Sequence, residues 1–211
     1  MILGISSSGR KNGITSSTVK EILKASNLEY DYISLAGKKI NGCIGCLQCA
    51  SDNVCKLQDD WNEIGEKMLK ADAIVFGAPI YSGTINALGH ACLERTFCFR
   101  HREVFKLAGK LAVSVSTDYA QSVENPVHSI IESVMSKNLV PIVGKVSAKG
   151  FSQCYTCGYG ENCAVGNVVK DHGFIEKIEH CHYPPSYEQQ ANTKFEARKV
   201  GKILGTIISN K

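Results

Sequence analysis

Five short apolar runs, each the length of a strand, recur along this chain with helix-length amphipathic stretches between them. They are Ile2-Leu3-Gly4-Ile5, Tyr30 to Leu35, Ala73-Ile74-Val75-Phe76-Gly77, Leu111 to Val115 and Pro141 to Val146. Ala73–Gly77 is continuously apolar rather than alternating, as a strand covered on both faces must be. Between the runs, apolar residues recur at helical spacing. Val19, Ile22 and Leu23 mark a helix over about Ser16 to Leu28, and Trp61, Ile64, Met68 and Leu69 one capped by Asp59 or Asp60. A third follows Gly83 to about Phe97. Val127, Ile130, Ile131 and Val134 mark a fourth, and Ala197, Val200, Leu204, Ile207 and Ile208 a C-terminal helix.

Strands that alternate with helices predict an α/β fold with a doubly wound parallel sheet. Five strands suit the flavodoxin-like order 2-1-3-4-5. The 211 residues are expected to form a single domain over 1–211. Two segments stand outside the alternation: a cysteine loop at 36–58 and an irregular cysteine-containing extension at 150–190.

Composition narrows the function classes. The net charge of +4 is spread along the chain, whereas a nucleic-acid binder concentrates basic residues on one face. No nucleic-acid partner is expected. No segment reaches the roughly 18 apolar residues of a membrane span, and no basic region precedes the short apolar N-terminus. A cytoplasmic location is therefore expected, with no membrane partner. In a reducing compartment, clustered thiols bind metal or do redox chemistry more often than they form disulfides. Seven of the ten cysteines fall in two groups: Cys43, Cys46, Cys49 and Cys55, then Cys154, Cys157 and Cys163.

In such a sheet the ligand lies beyond the carboxyl ends of the strands, where strand order reverses. Here that point lies between strands one and three. The loop after strand one, Ser6 to Thr15, is rich in hydroxyls and glycine, carries Arg10 and opens a helix. Helix N-termini with free N–H groups bind anions, and arginine pairs with phosphate in bidentate fashion. A flexible polar loop with an ordinary cap is the alternative. No G-x-G-x-x-G is present, which disfavours a dinucleotide fold. The loop after strand three, Pro79-Ile80-Tyr81-Ser82-Gly83, offers an aromatic face and a glycine for close approach. Together the two loops predict a ligand with a phosphate and an aromatic ring.

The pattern C-x2-C-x2-C-x5-C from Cys43 to Cys55 is close to the compact spacing of bacterial ferredoxins. Gly42 and Gly45 permit a tight backbone there. Zinc, which usually draws on two separated pairs, and free thiols or a redox disulfide are the competing readings. Cys154-x2-Cys157-x5-Cys163 is one ligand short of a set, and Cys181, His172 or His182 could complete it. A second metal site, a redox pair and inert thiols stay open. Cys92 reads as core. His90, Arg95, Arg100, His101 and Arg102 form a basic stretch that is either a solvated face or a dock for an acidic partner.

Three stretches, Gly4–Thr18, Gly42 through Cys55 to Asp60, and Ala71 through Gly83 to Arg95, resemble the NADPH-dependent FMN reductase superfamily, and within it the iron–sulfur flavoproteins. The resemblance implies FMN phosphate held by Ser6, Ser8, Arg10, Asn12, Ser16, Ser17 and Thr18. It implies the ring and ribityl chain against Pro79, Ile80, Tyr81, Ser82 and Gly83, with Ser116, Thr117 and Asp118 after strand four completing the site. It implies a 4Fe–4S cluster on Cys43, Cys46, Cys49 and Cys55, and a homo-oligomer, dimer or tetramer. His90 replaces a lysine common among relatives, and Ser116–Gln121 replaces a glycine-rich stretch, so the resemblance assigns no substrate. The expected function is an oxidoreductase that couples cluster to flavin, with ferredoxin or NAD(P)H as donor and no side-chain catalyst nominated. An NAD(P)H-dependent FMN or quinone reductase with structural cysteines is the alternative. A metal-binding or redox-sensing module on the same scaffold is the other.

Overall fold

The computed structural model describes residues 1–121 and 124–210. Ser122 and Val123, inside the predicted polar loop Ser116–Asn125, and Lys211 lie outside the described residues. The chain alternates as its apolar runs require: β1 (Ile2–Ser6), α1 (Ile14–Ala25), β2 (Tyr30–Ser34), α2 (Trp61–Lys70), β3 (Ala73–Tyr81), β4 (Thr84–Ile85), α3 (Ala87–Glu94), β5 (Leu111–Asp118), α4 (Pro126–Lys137), β6 (Ile142–Lys149), α5 (Asn167–His172) and α6 (Ala191–Ser209).

The sheet order is β2-β1-β3-β5-β6, with all neighbours parallel. Short β4 folds back antiparallel on β3. With β4 set aside, this is the flavodoxin-like order 2-1-3-4-5. Side-chain alternation divides the central strands between two cores. Leu3, Ile5, Ile74 and Phe76 pack with α2, α3 and α4 residues such as Trp61, Leu93 and Ile131. Ile2, Ala73, Val75, Val113 and Val115 pack on the opposite face with α1 and α6. Helices α1 and α6 meet backbone to backbone: a Cβ on Gly201 would sit 2.4 Å from the Ile22 carbonyl oxygen, and one on Gly205 2.2 Å from that of Ser26. Among the described residues no helix is long and apolar enough to cross a membrane.

Several expected boundaries move. The first helix starts at Ile14 and ends at Ala25 rather than running from Ser16 to Leu28. Pro79 to Tyr81, expected in a loop, extend β3. Pairing of β1 with β3 ends at Gly77 while β5 pairs on as far as Pro79, so the proline ring lies beyond the end of β1. There its missing N–H costs no ladder hydrogen bond. The turn itself is Ser82-Gly83, with φ of 50° and 76°, the paired positive φ of a type I′ hairpin. Ser116 to Asp118, also expected in a loop, stay in β5 because β6 pairs with them up to Lys149. The α2 cap is shared: Asp60 holds the N-cap position, but Asp59 Oδ1 accepts the Trp61 N–H at 3.1 Å.

Candidate functional site

The carboxyl ends of β1, β3, β5 and β6 surround a cleft of 570 Å³, within the range of small-molecule and cofactor sites. Of the residues expected around a cofactor, Ser8, Arg10, Pro79, Ile80, Tyr81, Ser82 and Thr117 line it, joined by Gly13, Ile14, Thr15 and Tyr119. No aspartate or glutamate lines it among the described residues. The α1 N-terminus opens into this space with Gly13 at its cap, so no capping side chain competes for the first helical N–H groups. Arg10 lies 4.2 Å over the Phe151 ring. Tyr81 is exposed at the end of β3. Thr15 Oγ1 donates to Thr117 Oγ1 at 2.8 Å, tying α1 to β5 across the floor. Ser7 Oγ donates to Asn86 Oδ1, and Asn86 Nδ2 to the Ser7 carbonyl, both at 2.7 Å, which fixes the first loop against α3.

The other expected cofactor residues stand behind or beside the cleft. Ser16 Oγ donates to buried Ser6 Oγ at 3.2 Å. Thr18 Oγ1 donates to the Ile14 carbonyl within α1. The Ser17 N–H donates to Gly13 O as part of the helix. Asn12 is exposed, and Gly83 makes the hairpin turn. Ser116 is fully buried, and its hydroxyl lacks a hydrogen-bond partner among the described residues. Asp118 Oδ1 accepts the Ala120 N–H at 3.0 Å. None of these eight lines the cleft.

Cys43, Cys46, Cys49 and Cys55 line one small pocket together with Arg95, Phe97 and Cys98. The loop that carries them lacks regular structure apart from a 3-10 turn at Gln48–Ser51. Burial pushes the Cys49 thiol up, and the nearby charges of Cys55, Cys43 and Cys46 add to the shift. The donor set is all sulfur, which suits an iron–sulfur cluster or zinc. No three His, Cys, Asp or Glu side chains converge at metal-binding distance among the described residues. The four thiols are thus gathered around one pocket without closing on a point.

Arg95 is the residue that the sequence reading misplaced. It was expected in a basic surface stretch, yet it is 1% exposed. Its guanidinium donates to Asp59 Oδ2 (2.7 Å), Asn41 O (3.0 Å), Leu57 O (3.4 Å) and Cys55 Sγ (3.2 Å). It therefore clamps both ends of the cysteine loop. Desolvation raises the Asp59 carboxyl, but the Arg95 hydrogen bond and the Asn41 and Trp61 N–H groups hold it below its usual range. His101 is also redirected, with Nε2 3.1 Å from Cys49 Sγ. Arg102 donates to the Ser51 carbonyl, and Arg100 stacks 5.0 Å over Phe97. The one signal in the sequence is Asp59, downstream of the cysteines, an acidic partner for a buried arginine.

The second cysteine group does not form one site. Cys154 lines the main cleft. Cys157 is exposed and Cys163 half-buried. Cys181, His172 and His182 line a different pocket with Tyr155 and Asp171. Cys92 is core as expected, its thiol pushed up to about 12 by burial.

A model of the NADPH-dependent FMN reductase family matches residues 1–151. An iron–sulfur flavoprotein of Methanocaldococcus jannaschii is 37% identical over 127 residues, 57% of this chain and 65% of that protein. The matched stretch thus spans just under two thirds of that relative. Among solved structures, a flavone reductase superposes with a TM-score of 0.62 at 17% identity, over 99% of this chain and 63% of the other. Reduced Megasphaera elsdenii flavodoxin superposes with a TM-score of 0.52 at 11% identity, over 98% and 99%. At these identities the structural likeness shows the fold.

Proposed function

The chain belongs to the NADPH-dependent FMN reductase family, and from that premise we propose that it is an oxidoreductase that binds FMN in the switch-point cleft and a 4Fe–4S cluster on Cys43, Cys46, Cys49 and Cys55. The observation that carries the flavin reading is the convergence in one cleft of a side-chain-free helix cap, Arg10 and exposed Tyr81. The uncapped N–H groups of α1 and the Arg10 guanidinium suit a phosphate dianion. Tyr81 and the Pro79–Ser82 strand end suit a flat ring. The absence of carboxylates from the described lining removes the main electrostatic objection to an anionic ligand.

The cluster is supported by four thiols around one pocket, by the clamp that Arg95 applies to their loop, and by the name of the relative above. FMN takes electrons singly or in pairs and a cluster passes one at a time, so together they couple a one-electron donor to a two-electron reduction. The chain's own part is to bind, orient and insulate. Arg95 donates to Cys55 Sγ, and His101 stands against Cys49. The Arg95 contact favours charge on the Cys55 sulfur. We further propose a homo-oligomer, dimer or tetramer, that draws on a reduced ferredoxin or NAD(P)H in the cytoplasm, where thiols this close together stay reduced.

Chromatography of the acid-released chromophore, with iron and sulfide assays on anaerobically purified protein, tests the reading. FMN near one per chain with iron and sulfide supports it. FMN without iron would leave the simple NAD(P)H-dependent reductase. Protein that retains no flavin after reconstitution would defeat both.

A further inference from the structure

Cys154 is the only described thiol that lines the cleft. It sits in a 3-10 turn, Gln153–Tyr155, just past the end of β6. Ser152 Oγ accepts the Cys154 N–H at 3.2 Å and is itself held by Asn167 Nδ2 at 2.9 Å. Cys157 folds back over the same turn: its thiol donates to the Cys154 carbonyl at 3.4 Å and accepts the Tyr159 N–H at 3.4 Å. The two cysteines thus share one tight turn, with the Cys157 thiol against the Cys154 backbone, the juxtaposition from which a disulfide between them would form. The Ser152 side chain, then the Asn167 backbone N–H, hold the Cys154 thiol below its ordinary range despite some desolvation. The thiolate is the attacking species in disulfide chemistry. Exposed Cys157, on the same turn, is placed to act as its resolving partner.

We propose that Cys154 and Cys157 form a dithiol–disulfide couple that exchanges an electron pair with the flavin in the cleft. This rests on the FMN reading above. In the oxidative direction two S–H bonds break and one S–S bond forms. The two electrons and two protons released pass to oxidised FMN, which becomes the reduced flavin. In the reverse direction reduced FMN returns them, the S–S bond breaks and both thiols are restored. The couple would give the protein a two-electron store beside a cofactor that the cluster can serve only one electron at a time. It would also admit disulfides as a substrate class.

The test uses the full chain under anaerobic conditions, in both directions. Thiol-reduced protein is loaded with oxidised FMN, and glutathione-oxidised protein with reduced FMN. FMN retention is measured by desalting, flavin state by absorbance, and disulfides by peptide mass mapping. The expected result is exchange in at least one direction, with flavin change matched by gain or loss of a Cys154–Cys157 bond. Cys157→Ser, a change at an exposed position, should retain FMN and abolish the exchange. Retained FMN with no exchange in either direction overturns the couple while leaving the flavin site standing. So does a disulfide from Cys154 to Cys163, or iron or zinc held by these thiols. Failure to retain FMN defeats the flavin reading and this inference with it, and desalting alone identifies that case.

Discussion

Arg95 Nη1 donates to Asp59 Oδ2 at 2.7 Å, in an ion pair whose two side chains are 0% and 5% exposed. The pair joins the end of α3 to the segment before α2, and the cysteine loop hangs between them. Removing one partner of a buried pair leaves an uncompensated charge, at a cost of about 3–5 kcal/mol. Arg95→Ala should therefore lower the urea midpoint strongly and reduce iron content. Arg95→Lys should recover little of either, because a lysine cannot make the forked contacts to Asp59, Asn41 and Leu57. Normal iron loading in Arg95→Ala would show that the clamp is dispensable.

Cys46 is exposed and lines the cysteine pocket, which shares no lining residue with the main cleft. Cys46→Ser should lose iron while fold and flavin content stay near wild type. Circular dichroism, iron assay and flavin release, run on the same preparation, check this. Iron equal to wild type would remove Cys46 from the ligand set.

Arg10 faces the cleft from the loop ahead of α1. A hydrogen bond to a charged group contributes about 1.5–3 kcal/mol. Arg10→Ala should thus weaken FMN binding roughly ten- to a hundredfold. Riboflavin, which lacks the phosphate, should bind wild type and variant alike. A parallel loss for both ligands would place Arg10 at the ring, through its stacking with Phe151, rather than at the phosphate.

His128 lies buried between Ser114 Oγ, 2.7 Å from Nδ1, and Ser147 Oγ, 3.0 Å from Nε2. Desolvation, helped by the charge of Lys145, lowers its pKa from 6.5 to about 4. The folded state therefore favours the neutral ring, and the unfolded chain binds the extra proton first. Stability from this group is complete above pH 6.5 and is lost as pH falls toward 4, by about 3 kcal/mol in all. Denaturant midpoints across that window should fall in the wild type and flatten in His128→Gln. An unchanged slope in the variant would assign the acid sensitivity elsewhere.

Lys106 Nζ donates to the Asp52 and Asn53 carbonyls at 3.0 Å, and Arg102 reaches Ser51, so two cations are held at one turn of the cysteine loop. Reduction by a ferredoxin should exceed reduction by NADPH, and its rate should fall with salt as screening shortens the field to about 8 Å. Stopped-flow traces with each donor at two ionic strengths decide it. Fast reduction by NADPH beside a negligible ferredoxin rate would favour direct hydride donation.

The alternation of apolar runs was enough to predict the sheet order, because burial on both faces and right-handed crossovers leave few topologies for five such strands. That the loops after β1 and β3 meet at one cleft, and that four cysteines gather at one pocket, was legible for a related reason. Hydroxyls, glycines and thiols at fixed spacing announce their chemistry locally. Strand ends were not legible at Pro79–Tyr81 or Ser116–Asp118, since polar or proline-bearing residues extend a strand only when a neighbour is there to pair with them. Nor could spacing reveal that Ser16 and Thr18 turn their hydroxyls to other protein groups while Tyr119 and Phe151 enter the cleft. Arg95 shows the limit most plainly. In sequence it heads a run of surface-like cations, but a charge goes inside when distant partners meet it there. Asn41, Cys55, Leu57 and Asp59 converge on it only after the chain has folded. The same holds for Cys154: its place beside the cleft is set by where β6 ends relative to β1 and β3, a relation between segments far apart in the chain.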